Sequence, residues 1–478
     1  MTDDGRRSPI ALRAAELADV VGGQLVAGRF DAEAEGVAID SRRVRAGDLF
    51  VAIRGDRFDG HAFVGEAVRR GAVGLVVSDA SVVDLHGTPP PRSDRPFVIA
   101  VAETIQALQR IGQFVRRESG ARVVAITGSV GKTTTKELAA TLLASAYDVV
   151  RNEGNLNNHI GLPLSLLGLR RRPDIAVVEL GMNHAGELRT LVGIAEPEIR
   201  VWTNVAEVHS AFFDSIEEIA DAKAEIMEGA DAETHLIANA ADMRVMARVS
   251  DFPGRLTTFG VEAEADVRAT NLRCLGLDGM EATVHTPAGS STLRTSLLGE
   301  GNVANILAAI AVALQFQVPL DALIAQLADF RAQPRRGQVR RLGSVTVVDD
   351  SYNSNPLALE RALTAIGASA TTGRRVAVLG EMLELGERSD DLHRECGQLV
   401  ASAGVELLVV VGGHPMRALA DAAIAAGLPR ASVLSFATSD DASDEIGGLV
   451  RAGDVVLVKG SRGIGTDRVV DRLEAELG

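Results

Sequence analysis

Short apolar runs of strand length recur along the chain. Between them lie stretches in which apolar residues return every three or four positions, the spacing of one helix face. The first region reaches residue 102 and carries runs at Gly47–Ile53 and Gly74–Val77 between Gly-rich turns, with a Pro-rich surface loop at Thr88–Pro96. A helix is predicted over Glu103–Glu118, with Ile105, Leu108, Ile111 and Val115 on one face. It leads into a second region, residues 103–332. There a buried-type strand, Arg122–Ile126, is followed by a Gly-rich turn and a helix, Lys132–Ala144. Further strands are predicted at Ile175–Val178, Val201–Thr203 and Leu236–Ala238, then short strands across Phe259–Leu297 and a helix over Asn302–Phe316. A hinge, Gln333–Gly337, opens the third region, 333–478. It alternates again, with strands at Val345–Val348, Val376–Leu379, Leu407–Val411, Val433–Leu434 and Val455–Val458. Strand–helix alternation argues for parallel sheets covered on both faces. The fold class is therefore α/β in three domains: a small α/β domain, a central domain with a mostly parallel sheet, and a Rossmann-like domain without a GxGxxG turn after its first strand.

A chain of 478 residues exceeds one ordinary core, in keeping with that division. Its 46% hydrophobic and 24% charged residues are those of a folded domain protein. A formal net charge of -15 disfavours a general nucleic-acid or membrane-surface binder, whose affinity rests on Lys and Arg. The cysteines, Cys274 and Cys396, form no CxxC pair or zinc pattern and read as free thiols of a reducing compartment. The N-terminal stretch lacks the apolar run of a signal peptide, and no run approaches a membrane span. A cytoplasmic location is expected.

The strongest local signal is Thr127-Gly128-Ser129-Val130-Gly131-Lys132-Thr133-Thr134, between a predicted strand and a predicted helix. Glycines let backbone N–H groups turn inward around phosphate oxygens, and the helix N-terminus adds partial positive charge. Lys132 is expected to reach the β- and γ-phosphates and Thr133 to help hold Mg²⁺. The spacing is TG[ST]xGK[ST], shorter than GxxxxGK[ST], with Ile126 where the longer form has glycine.

Three further residues are weak when taken singly. Glu179 follows the strand Ile175–Val178, and a carboxylate at that edge of a parallel sheet suits Mg²⁺. It also has an ordinary structural reading. His209, a few residues past Val201–Thr203, reads by itself as a common core or surface histidine, and Lys223 as a solvated helix lysine.

Together these residues fall into one order that resembles the Mur ligase family, which also includes folylpolyglutamate synthetase. In that family the TG[ST]xGK[ST] loop is followed by a Glu, a His and a Lys in a K-x-E-I context, here Glu179, His209 and Lys223–Ile226. The resemblance implies that Glu179 and His209 contact Mg²⁺ and that Lys223 is carbamylated, which turns a cation into an anionic oxygen ligand. Carbamylation needs a neutral amine, hence a depressed lysine pKa. Leu298–Asn305 is similar to a G-x-H-N-x-x-N element whose Asn side chains read adenine; Asn302 and Asn305 carry over, while Gly301 stands in place of the His. Arg336 matches an Arg at the hinge that reaches the nucleotide, and Asp350 an Asp that binds ribose.

Three stretches are similar to the branch of the family that adds D-alanyl-D-alanine to UDP-N-acetylmuramoyl-tripeptide. They are Asp40-Ser41-Arg42 with Gly47–Phe50 and Phe58–His61; Asn155–Pro163 with Glu179–Asn183; and Asp349–Pro356 with Gly380–Gly386 and Lys459–Gly463. Ser41, Arg42, Asn157, Asn158, Asn353 and Asn355 are implied as substrate residues. Departures remain at Ser210–Phe213, and at Glu381 where Asp is common. The resemblance implies an ATP-dependent ligase working through an acyl phosphate. Its domains would bind the UDP substrate (1–102), ATP (103–332) and the dipeptide (333–478), and it would be a monomer without nucleic-acid or membrane partners. Another ligase of the family (lysine- or diaminopimelate-adding, or polyglutamate-forming), a P-loop regulatory ATPase, and a UDP-sugar module with a dead nucleotide site stay open as alternatives.

Overall fold

The computed structural model describes residues 8–55, 58–83, 95–208, 211–369 and 371–478. The expected Pro-rich loop lies mostly outside them. Two compact units emerge. One covers the described residues up to Ala125 with Ala146–Met182 and Gly186–Glu198; the other covers Ile126–Ser145, Asn183–Ala185 and Ile199–Gly478. Among the described residues no helix is long and apolar enough to cross a membrane.

In the first unit, five strands lie in the order Gln24–Ala27, Phe97–Ala100, Gly74–Val77, Asp48–Val51, Gly36–Ala38. All neighbours are parallel except the first pair. Phe50, Leu75, Val77 and Val98 anchor a buried cluster with Val64 and Ala67 of the helix Val64–Arg69. The predicted helix forms at Thr104–Ser119, buries Leu108, Ile111 and Val115, and ends at Gly120 with φ 69°. There Arg116 donates to the carbonyls of Ala195 and Glu196. Val149–Arg151, a strand too short for the hydrophobic pattern to reveal, pairs in parallel with Ile175–Glu179.

The strand Arg122–Thr127 carries the chain into the second unit, where its final residues lie. Here Ile199–Trp202, His235–Asn239, Arg255–Val261 and Val267–Cys274 are parallel neighbours. Met280–Thr286 and Gly289–Thr295 continue them antiparallel. The helix expected to start at Asn302 starts at Glu300 and runs to Gln315, and its buried residues, from Val303 to Ala313, are apolar except Asn305. It packs against the helix Lys132–Leu143.

The C-terminal part of the same unit is a six-stranded sheet, ordered Gln338–Leu342, Val345–Asp350, Val455–Lys459, Arg375–Gly380, Leu407–Val411, Val433–Phe436. Only the first pair is antiparallel. Alternate residues of one strand enter opposite cores. Ala377 and Leu379 join the cluster under the helices Pro356–Gly367, Ser389–Ser402 and His414–Ala425. Val376 and Val378 join the cluster under Ser439–Leu449 and Asp467–Leu477. Burial on both faces is why these strands read as unbroken apolar runs. The expected hinge lies between the helix Leu320–Asp329 and the strand Gln338–Leu342, with Arg335 at φ 64° and Gly337 at φ 74°.

Candidate active site

The strand ending at Thr127 and the helix starting at Lys132 are joined by a four-residue turn. Two glycines make that turn possible. Gly131 has φ 87°, a conformation that costs a side-chain-bearing residue energy. Space also forbids a side chain: a Cβ on Gly128 would lie 2.0 Å from Thr203 Oγ1, and one on Gly131 would lie 2.2 Å from Asn305 Oδ1. The residues after the strand Ile199–Trp202 brace the turn from outside. Ser129 N donates to Asn204 O at 3.0 Å, Val130 N donates to Asn204 Oδ1 at 2.9 Å, and Thr203 Oγ1 donates to Val130 O at 2.9 Å. Ser129 Oγ donates to Ala206 O at 3.1 Å. Lys132 curls back over the loop, its Nζ donating to Gly128 O at 2.7 Å and Ser129 O at 3.2 Å. Thr133 and Thr134 follow, half-buried, in the first helical turn. Asn204, absent from the expected residues, holds the turn from both its backbone and its side chain. Its position at the end of a parallel strand was the available signal.

Asn305 is buried and accepts from Thr135 Oγ1 at 3.3 Å, while its Nδ2 donates to Asn302 Oδ1 at 3.1 Å. Asn302 in turn donates to Leu298 O at 2.8 Å. The two asparagines expected to meet adenine thus form a chain that starts at the phosphate turn.

Lys223 lies near the end of the helix Ile216–Ala224, whose start is capped by Ser215. It is 2% exposed, against the solvated lysine that its position alone suggested. Burial first, and the charge of Lys132 second, push its amine well below the ordinary lysine range. The following turn is fixed by buried Arg200, which donates to the carbonyls of Ile226 and Glu228 at 2.7 Å each. His209 falls outside the described residues. Nearby, Ala211 N donates to Glu384 O at 3.1 Å, Arg388 pairs with Glu207 at 2.5 Å, and Phe212 meets the His184 ring at 4.6 Å.

In the first unit, Glu179 is the last residue of its strand and is 4% exposed. Asn152 clasps its backbone, accepting from Glu179 N at 2.9 Å and donating to Glu179 O at 3.2 Å. Asn157 donates to Glu179 Oε1 at 2.8 Å, so this expected substrate residue orients a carboxylate. Asn158 accepts from Gly161 N at 2.8 Å and serves the start of the helix Gly161–Leu166. Ser41 donates to Glu66 at 2.9 Å and Arg42 pairs with Asp40 at 2.8 Å. Asp40 is thereby held down at about 2, first by its hydrogen bond from Arg42.

In the third domain Arg336 lies over the Tyr352 ring at 3.9 Å, with Arg462 at 5.5 Å from the same ring. Asp350 ends its strand and pairs with buried Lys459 at 2.6 Å; Lys459 also donates to Asn353 O at 3.0 Å. Asn355 caps the helix Pro356–Gly367, accepting from Ala358 N at 2.9 Å. Among the described residues, the buried Ser354 and Thr466 hydroxyls have no hydrogen-bond partner. Among the described residues there is no cluster of three or more His, Cys, Asp or Glu side chains fit for a metal. The expected donor set instead comprises the Thr133 hydroxyl, the Glu179 carboxylate, the His209 imidazole and a modified Lys223. Lys223 fits that role chemically, because its buried amine is held toward the neutral form.

A glycine turn between strand and helix, closed by a lysine and braced by the next strand, defines a P-loop nucleotide-binding protein of α/β type. Family models narrow this further. The model for the Mur ligase middle domain matches residues 126–313, that for the Mur ligase glutamate ligase domain 335–462, and that for the Mur ligase catalytic domain 33–117. The chain is 36% identical over 406 residues to the UDP-N-acetylmuramoyl-tripeptide--D-alanyl-D-alanine ligase of Escherichia coli (strain K12), covering 84% of this chain and 86% of that one. It is similar in structure to MurF from Acinetobacter baumannii, with TM-score 0.87, 29% identity, and 98% and 100% of the two chains covered. It is also similar to MurF ligase from Thermotoga maritima in complex with ADP, with TM-score 0.79, 29% identity, and 92% and 97% covered. The chain belongs to the Mur ligase family.

Proposed function

We propose that this chain is an ATP-dependent ligase that joins D-alanyl-D-alanine to the terminal carboxylate of UDP-N-acetylmuramoyl-tripeptide in peptidoglycan precursor synthesis. The observation that carries the reading is that similarity to the Escherichia coli enzyme spans 84% of the chain rather than the nucleotide turn alone. The reading assigns residues 1–102 to the UDP substrate, 103–332 to ATP and 333–478 to the dipeptide, and places a monomeric enzyme in the cytoplasm. The net charge of -15 supports the absence of nucleic-acid and membrane partners.

A carboxylate resists amines because resonance makes it a poor electrophile, so ATP must activate it. The substrate carboxylate attacks the γ-phosphorus, ADP leaves, and an acyl phosphate forms. The dipeptide amine then attacks the acyl carbon, phosphate departs and the amine loses a proton. Phosphoryl transfer needs positioning and charge neutralisation more than covalent help. The backbone of Gly128–Gly131 cradles phosphate oxygens, and Lys132 exchanges its loop carbonyls for the β- and γ-phosphates. We assign Thr133, Glu179, His209 and carbamylated Lys223 to Mg²⁺, which supplies charge neutralisation when bound. Asn302, Asn305, Arg336 and Asp350 are assigned to the nucleoside. Ser41, Arg42 and Asn158 are assigned to the UDP substrate, and Asn353 and Asn355 to the dipeptide. An acyl phosphate hydrolyses if wet, so closure about the segment near Pro334 belongs to the cycle.

The test is mass spectrometry of the product from UDP-N-acetylmuramoyl-tripeptide, ATP, Mg²⁺ and D-alanyl-D-alanine. A joined product, with ADP released only when the dipeptide is present, is the expected result. ADP release indifferent to any amine would favour a regulatory ATPase. Release driven by lysine, diaminopimelate or glutamate instead would favour another member of the family.

A further inference from the structure

The first turn of the helix Glu300–Gln315 contains Gly301, and the space before that glycine is occupied. A Cβ on Gly301 would lie 2.8 Å from Nη1 and 2.9 Å from both Cδ and Cζ of Arg361. Arg361 comes from a different domain, on the helix Pro356–Gly367. Its half-buried side chain is laid across the glycine, so the missing side chain and the arriving guanidinium form a complementary pair. The same helical turn leads to the phosphate site. Asn305 abuts Gly131 and bonds Asn302, the neighbour of Gly301.

Helix stability does not account for Arg361. A cation beside a helix N-terminus opposes the helix dipole. Burial makes the guanidinium harder to keep charged, and Glu300 and Glu360 offset that only in part. What the placement provides is a guanidinium laid beside the helical turn that carries Asn302 and Asn305. A guanidinium is planar and always charged, and it stacks on π faces.

We infer that Arg361 reaches over Gly301 from the third domain to stack on the purine of ATP. The inference rests on the reading that Asn302 and Asn305 face the adenine. It makes base recognition a joint act of two domains, so that the third domain's position depends on whether a nucleotide with a base is bound.

The experiment compares binding of ADP and of inorganic tripolyphosphate, with Mg²⁺, by the full-length wild type, Arg361→Ala and Arg361→Gln. Isothermal titration calorimetry reads the affinities, and circular dichroism checks the fold. Both variants are expected to bind ADP roughly threefold to thirtyfold more weakly, while tripolyphosphate binding is unchanged. ADP binding equal to wild type in the two variants overturns the inference. Equal losses for ADP and tripolyphosphate also overturn it, because a disturbed helix end or a phosphate contact would act on both. A wild type that binds no ADP overturns the ligase reading and this inference together. Normal ADP binding by the wild type without loss in the variants overturns the inference alone.

Discussion

Asn157 donates from Nδ2 to Oε1 of Glu179 at 2.8 Å, while Asn152 holds the Glu179 backbone on both sides. The residue is therefore held at its backbone by Asn152 and at its carboxylate by Asn157. A partner that orients a metal-binding carboxylate typically contributes 10-fold to 100-fold, roughly, in metal affinity or activity. Asn157→Ala should raise the Mg²⁺ concentration for half-maximal ADP release by about that factor, with much of the rate recovered at saturating Mg²⁺. If the variant instead raises KM for the UDP substrate at unchanged Mg²⁺ demand, Asn157 is the substrate residue its motif suggested.

Lys132→Ala should lower ATP turnover by about 100-fold or more while leaving the fold intact, because the lysine acts on developing charge rather than on the core. Gly131→Ala should fail for another reason: its methyl would sit 2.2 Å from Asn305 Oδ1. Turnover assays with thermal melts separate the two, since the glycine variant alone should lose melting temperature.

Lys223→Ala should lose about 100-fold or more of its activity, and high bicarbonate should not restore it. Partial rescue by short carboxylates would support the carbamate. Lys223→Met tests the other side of the same burial. The folded amine titrates below its ordinary range, so the unfolded chain binds the proton more readily, and wild-type stability rises with pH until the ordinary lysine value near about 10.4. In CO₂-free buffer the methionine variant should melt higher than wild type at pH 7, with the gap narrowing towards pH 10. A gap independent of pH would contradict a buried, titrating amine.

Much of this architecture could be read from the chain. Runs such as Leu407–Val411 and Val455–Val458 are apolar throughout because they are buried on both faces, and the turn Thr127–Thr134 announces itself by spacing. Gln338–Leu342 escaped because an antiparallel edge strand has no need of a continuous apolar run. By position alone Lys223 reads as a surface lysine, since its burial comes from packing distant in sequence; only the family resemblance singled it out. Arg361 carried no signal, because its meaning lies in a contact with Gly301, sixty positions earlier by residue number. Asn355, assigned to the dipeptide, also caps a helix with its side chain, a role the sequence reading did not foresee.

Within the third domain, Asp454 is 1% exposed and accepts from Arg374 Nη2 at 2.7 Å, from Arg374 N at 3.0 Å and from Arg451 N at 2.8 Å. Burial pushes its carboxyl up, but these bonds outweigh that and hold it below the usual range. Its contribution is therefore complete above the ordinary aspartate value near about 3.9 and is lost as pH falls through the lower folded value. Asp454→Ala should cost about 1–3 kcal/mol, because it leaves the half-buried Arg374 guanidinium and two backbone N–H groups without their acceptor. Urea unfolding at pH 7 measures the loss, and a loss under about 1 kcal/mol would show the pair to be no stronger than a surface bridge.

The crowding at Gly128 and Gly131 has a consequence for inhibition. Neither position can take even one carbon without striking Thr203 or Asn305. A compound that seats an anion on this turn would face a wall that mutation cannot redraw without harming the protein's own folding. Resistance would have to arise elsewhere, at the more tolerant contacts around it.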